Sequence, residues 1–199
     1  MKLAKYLWTI ASFYLLVIGF VYIIILKEAP SSGPERYEFI MDNWAIYNYQ
    51  WKAELMMTTL LAISSFIFSK HLKNPGFVFI GVGQLFFAMA MPVSIGITPN
   101  ATYEIGSLIG KGGHEMVNFG MMVSLAGYLI LHWRSRLLSK GLKAAALILA
   151  ALGLLSFTAG FVNVIETATA QKAMIFAMLL YLINGYLGIK LNEENASMI

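Results

Sequence analysis

The chain contains no cysteine. That absence excludes disulfides, thiolate metal centres and cysteine nucleophiles together, and leaves the redox compartment open. Charge is scarce as well: 12% of the 199 residues are charged, against about 25% in an average soluble domain. With 59% hydrophobic residues and a mean hydropathy of +0.71, too little polar surface remains to cover a water-soluble globule. The solvent is therefore largely lipid. The formal charge of +4 does not mark a nucleic-acid binder, because the basic residues fall in short clusters between apolar runs. No phosphate loop, nucleophile elbow or His-x-x-x-His pair occurs, so the sequence specifies no metal and leaves any cofactor unknown.

What is present is a series of six apolar runs, at 7–26, 53–69, 76–97, 116–133, 144–165 and 173–191. Each approaches or exceeds the length needed to cross about 30 Å of hydrocarbon at 1.5 Å per residue. The fold expected is an all-α membrane protein, a single polytopic domain over 1–199 with six transmembrane helices in one bundle. The first run follows Lys2 and Lys5 but is longer than the ~7–15 residues of a signal-peptide core, and no small-x-small cleavage site follows it. It reads as a retained helix.

The basic residues orient the spans. Lys2 and Lys5, then Lys70 and Lys73, then Arg134, Arg136, Lys140 and Lys143 all fall on one side of a six-span topology. The opposite segments carry Glu28, Glu35, Glu38, Asp42, Glu104 and Glu166. The excess of Lys and Arg marks the cytoplasmic side. A multi-pass protein of the plasma (inner) membrane is expected, with both termini cytoplasmic and the bilayer as its first partner.

The first outer segment carries more than a turn. Ser32-Gly-Pro-Glu35 has the form of a capping box with proline in the first turn. Beyond it Tyr37, Ile40, Met41 and Trp44 recur at helical spacing, with Arg36, Glu38, Asp42 and Asn43 opposite. This predicts an amphipathic helix over about 34–47 in the outer interface. Tyr47, Tyr49 and Trp51 continue an aromatic belt. Small residues at Gly120, Ser124 and Gly127, at Ala146, Ala150 and Gly153, and at Gly185 and Gly188 allow close helix packing or membrane-protein partners.

Polar side chains gather at the outer ends of the spans. Glu54 and Thr58 share a face of the second; His114, Glu115 and Asn118 open the fourth in the stretch KGGHEMVNFG; Asn163 and Glu166 close the fifth. Two readings stand. These groups are wetted helix ends, with Gly112 and Gly113 freeing the backbone and Glu115 complementing a positive helix terminus. Alternatively they converge, under Trp44 and the aromatic segment, as an outward-facing pocket that binds or passes a small amphipathic ligand or lipid. A histidine among carboxylates is also the raw material of general acid–base chemistry, so a membrane-embedded enzyme using His114 with Glu54 or Glu115 is a second class. An accessory subunit of a larger membrane complex is a third. His71 and His132, beside Lys and Arg at the inner ends, read as interfacial.

Overall fold

The computed structural model describes residues 1–26, 29–30, 33–165, 172–191 and 198–199. The described residues are almost entirely helical, without a strand. In chain order the helices are α1 (Lys2–Leu26), α2 (Gly33–Asp42), α3 (Trp44–Leu72), α4 (Gly76–Ile97), α5 (Tyr103–Arg134), α6 (Lys140–Phe161) and α7 (Met174–Lys190), with a 3-10 turn at Thr98–Asn100. Five of them (α1, α3, α4, α5 and α6) are long and apolar enough to cross a membrane, and α7 is a shorter apolar helix of 17 residues.

Three of the boundaries that differ from the sequence reading bear on the site, each for a local reason. The segment expected as one helix over 34–47 is broken at Asn43, which has φ −105° and ψ 20°. Trp44 to Tyr47 thus belong to the first turn of α3 rather than to the end of α2. α3 begins nine residues ahead of the apolar run, because Trp44, Tyr47 and Trp51 lie on successive turns and their rings meet edge to face at 5.7 and 5.8 Å. α5 likewise begins at Tyr103, so Gly112 and Gly113 are interior helical residues and not a flexible doorstep. Ile105, Leu108 and Ile109 give this extension its own apolar positions, and Tyr37 of α2 anchors it. The Tyr37 hydroxyl sits between the carbonyls of Thr98 and Ala101, at 2.8 and 2.7 Å. Its ring meets Tyr103 at 6.0 Å. Ser32, the first residue of the expected capping box, and Glu28 lie outside the described residues.

The long helices form a closed ring. α1 packs on α3, α3 on α4, α4 on α5, α5 on α6, α6 on α7, and α7 back on α1. The closest approach is between α4 and α5. A Cβ on Gly76 would meet the carbonyl oxygen of Gly127 at 2.6 Å, and one on Gly120 would meet that of Gly83 at 2.6 Å. Two pairs of glycines, each pair seven residues apart, therefore face each other across the antiparallel contact. Without side chains there, the backbones approach closely and gain dispersion contacts that lipid cannot replace.

The ring has an inside-out distribution of polarity. Ile10, Val17, Ile24, Ile63, Phe79, Met89, Ile148, Leu155 and Leu182 point outward and are exposed. Inside lie Trp8, Leu61, Phe68, Phe77, Leu125, Tyr128, Phe157 and Leu180, interspersed with Ser12, Glu54, Thr58, Gln84, Asn118, Ser124, His132 and Asn184, all buried. An apolar exterior around a partly polar centre suits a protein whose outer solvent is lipid.

Candidate functional site

In the C-terminal half of α1, Tyr14, Val17, Ile18 and Val21 repeat at i, i+3, i+4, i+7 and form one face. The early start of α3 lays Ala45, Ile46, Tyr49, Gln50 and Ala53 alongside that face. Between the two helices is an open groove of about 370 Å³ with almost wholly apolar walls. A groove forms because Ala45 and Ala53 are too small to fill the space between α1 and α3.

Gln50 is the exception to the apolar lining. It is 4% exposed, and neither its Nε2 nor its Oε1 has a hydrogen-bond partner. A buried amide in this condition costs about 1–3 kcal/mol relative to one that is satisfied. One turn further on, Glu54 is also buried, and Tyr22 Oη donates to its Oε2 at 2.9 Å. Tyr47 is buried too, with an unpartnered hydroxyl. Tyr22, Tyr47, Gln50 and Glu54 thus make a polar floor beside the apolar groove, which Trp44 and Trp51 flank on α3.

The residues singled out in sequence are distributed differently from one another. Glu54 and Thr58 are buried on the inner face of α3. The Thr58 hydroxyl donates within its own helix, at 2.7 Å from the Glu54 carbonyl oxygen. Asn118 is buried with both amide atoms unpartnered. His114 and Glu115 are exposed. The charged groups in electrostatic reach of His114 are Arg36 and Glu115, and Glu54 is not among them. Asn163 is exposed and left-handed, with φ 58°. It follows the last turn of α6, and its N–H donates to the Gly160 carbonyl at 3.1 Å. Asparagine is one of the few residues that tolerate this helix-terminating conformation. Glu166 lies outside the described residues. The structure therefore buries Glu54, Thr58 and Asn118 within the ring and leaves His114, Glu115 and Asn163 on the surface.

A second polar group occupies the middle and the opposite end of the ring. Gln84 Nε2 lies 3.2 Å from Ser124 Oγ and 3.4 Å from Tyr181 Oη, linking α4, α5 and α7. His132 Nε2 lies 3.1 Å from Asn184 Oδ1, and Trp8 Nε1 donates to the Asn184 carbonyl at 2.8 Å. Tyr128 stacks on His132 with ring centroids 6.3 Å apart. His132, near the basic end of α5, is enclosed by neighbouring helices, with its side chain fully buried. The reason is its helical face. Asn118, Met121, Leu125, Tyr128 and His132 alternate three and four residues apart and all point inward, so His132 follows the buried stripe although Trp133 and Arg134 beside it are exposed. His71, by contrast, is exposed.

Among the described residues no three His, Asp or Glu side chains gather to hold a metal ion. No family model, no curated protein and no solved structure matches this chain.

Proposed function

We propose that the chain is an integral membrane protein that binds a small, neutral amphipathic molecule at its outer end, in the groove between α1 and α3. The observation that carries this reading is Gln50. Its donor and acceptor are both buried and unspent, and it borders a groove with otherwise apolar walls. A ligand with an alkyl chain and a head offering one donor and one acceptor, such as an alcohol, an amide or a monoacylglycerol, satisfies both once the covered Gln50 amide turns into the groove. Glu54, one turn deeper, disfavours an anionic head by charge repulsion when ionised. Binding is favoured over passage because the ring's middle is filled by Leu61, Leu125, Tyr128 and Leu180, all buried.

The proposed topology has six spans, with α7 as the sixth and α2 along the outer interface. At 17 residues and 1.5 Å per residue, α7 is about 25 Å long, within what local bilayer thinning accommodates. Orientation follows the basic residues: Lys73, Arg134, Arg136 and Lys143 surround one recess, and Trp8, near the N-terminal lysines, packs on Phe68 and Phe77 at the same end. That end is taken as cytoplasmic.

The test uses the purified full chain and a nitrobenzoxadiazole-labelled monoacylglycerol. Saturable fluorescence enhancement is expected, reversed by unlabelled monoacylglycerol. Gln50→Leu should weaken it about tenfold, as one lost polar pair of ~1.4 kcal/mol implies, and Ala45→Phe should block the groove. Binding that is not saturable, or that both variants leave unchanged, would show that the groove holds only water or lipid chains without selection.

A further inference from the structure

At the end of the ring away from the groove, the α3–α4 turn, the end of α5 and the start of α6 enclose a second recess, of about 660 Å³ and mainly polar. Its lining includes Lys73, Asn74, Trp133, Arg134, Arg136 and Lys143, with Leu72, Met198 and Ile199 beside them. Among the described residues no carboxylate side chain lines it. Four cations from three separate segments therefore share one concave space.

The cations are not equivalent. Lys143 Nζ donates to the carbonyls of Trp133 and Ser135, at 2.7 and 3.1 Å, and so covers the end of α5. Asn74 is buried. Its Oδ1 accepts from the Gly76 N–H at 2.9 Å and its Nδ2 donates to the Ile199 backbone oxygen at 2.8 Å. The Arg136 backbone N–H donates to the Met198 oxygen at 2.6 Å. These contacts build a fixed wall. Lys73, held in a left-handed conformation with φ 52° at the end of α3, and the guanidinium groups of Arg134 and Arg136 are exposed and make no side-chain bond among the described residues. Trp133, 73% exposed beside them, is the kind of residue that sits at headgroup level.

We infer that this recess is a binding site for a phosphate oxyanion, in which Arg134, Arg136 and Lys73 close on the phosphate and Trp133 rests against the glycerol or acyl region of a lipid that carries it. Guanidinium forks match phosphate oxygens in pairs, and basic pockets between transmembrane helices are favourable places for anionic headgroups. The inference is independent of the groove between α1 and α3. Two sources share this chemistry: a phosphomonoester lipid and free phosphate.

The test measures the thermal midpoint of the detergent-purified full chain. One arm compares micelles containing phosphatidic acid with micelles containing phosphatidylcholine. The other compares inorganic phosphate with chloride at matched ionic strength. Phosphatidic acid is expected to raise the midpoint saturably, and R134Q/R136Q to weaken its apparent affinity about tenfold or more, from roughly tenfold or less per basic residue near a membrane surface. Among the described residues both arginines lack side-chain partners, so the ligand-free midpoint should not move; if it does, Lys73→Met gives the same comparison. A shift with inorganic phosphate that R134Q/R136Q abolishes also supports the site and identifies a soluble source. No shift in either arm overturns the inference. So does an equal loss in K2Q/K5Q, which removes charge from the same end outside the recess, or a loss in E193Q/E194Q, which makes the chain less acidic.

Discussion

At the scale of single residues, the balance of burial and hydrogen bonding marks Gln50 as a place where stability is given up. Replacing it with leucine removes a buried donor and acceptor that no protein atom satisfies, and puts an apolar side chain of similar size beside apolar walls. Gln50→Leu should therefore raise the ligand-free thermal midpoint, by an amount equivalent to about 1 kcal/mol, while weakening monoacylglycerol binding. An unchanged or lowered midpoint would mean that the amide is already satisfied by water. The reverse holds for Trp8, which fills the ring beside Phe68 and Phe77 and donates to Asn184. Trp8→Ala should cost about 3–5 kcal/mol, measured as a loss of folded protein on heating. Part of the buried polar layer was legible in the sequence. Glu54 and Thr58 stood out as polar residues sharing a helical face. Gln50 did not, because it is not ionisable and lies among Tyr47, Tyr49 and Trp51, which have the pattern of an aromatic belt. The burial of His132 was hidden for a similar reason: its neighbours in sequence are basic and aromatic, and its neighbours on the helical face are Leu125 and Tyr128.

At the scale of helices, the α4–α5 contact shows why glycines cannot be judged by composition. Gly120 and Gly127 were visible as a small-residue stripe, but their counterparts Gly76 and Gly83 acquire meaning only once the antiparallel register is known. Glycine inside a helix is destabilising by about 0.5–1 kcal/mol relative to alanine, so Gly→Ala is normally a favourable change there. Gly141 in the first turn of α6 has nothing within 4 Å of the added Cβ, and Gly141→Ala should be neutral or slightly stabilising. Gly83→Ala should have the opposite sign, because the new methyl would meet the Gly120 backbone and Ser124. Separating two helices to admit it costs about 1–3 kcal/mol. Parallel thermal melts of the two variants check the contrast, and equal behaviour would refute the close backbone approach. The same register effect explains the early starts of α3 and α5. Apolar periodicity locates the part of a helix that needs lipid, whereas Tyr37, Trp44 and Trp51 extend these helices by contacts outside that part.

At the scale of the whole molecule, the ring is closed by its two ends. Neighbours in sequence are neighbours around it, as short connections dictate, and that much follows from six apolar runs and brief loops. The closure of α1 on α7 does not, because it depends on Trp8 reaching Asn184 across nearly the whole chain and on Phe13 lying over Gly185. Closure also constrains topology: the start of α1 and the end of α7 must lie at one end of the ring, as must the α3–α4 and α5–α6 connections. With the basic residues at that end, the proposed orientation has both termini in the cytoplasm and α2 outside. The cysteine-free chain makes this directly measurable, since any introduced thiol is the only one present. Glu35 on α2 and Lys140 at the start of α6 are both exposed. In intact cells, an impermeant maleimide should label Glu35→Cys readily and Lys140→Cys only after permeabilisation. Labelling of both without permeabilisation, or of Lys140→Cys alone, would contradict the orientation. It would also move the phosphate recess to the outer surface and the groove between α1 and α3 to the inner one.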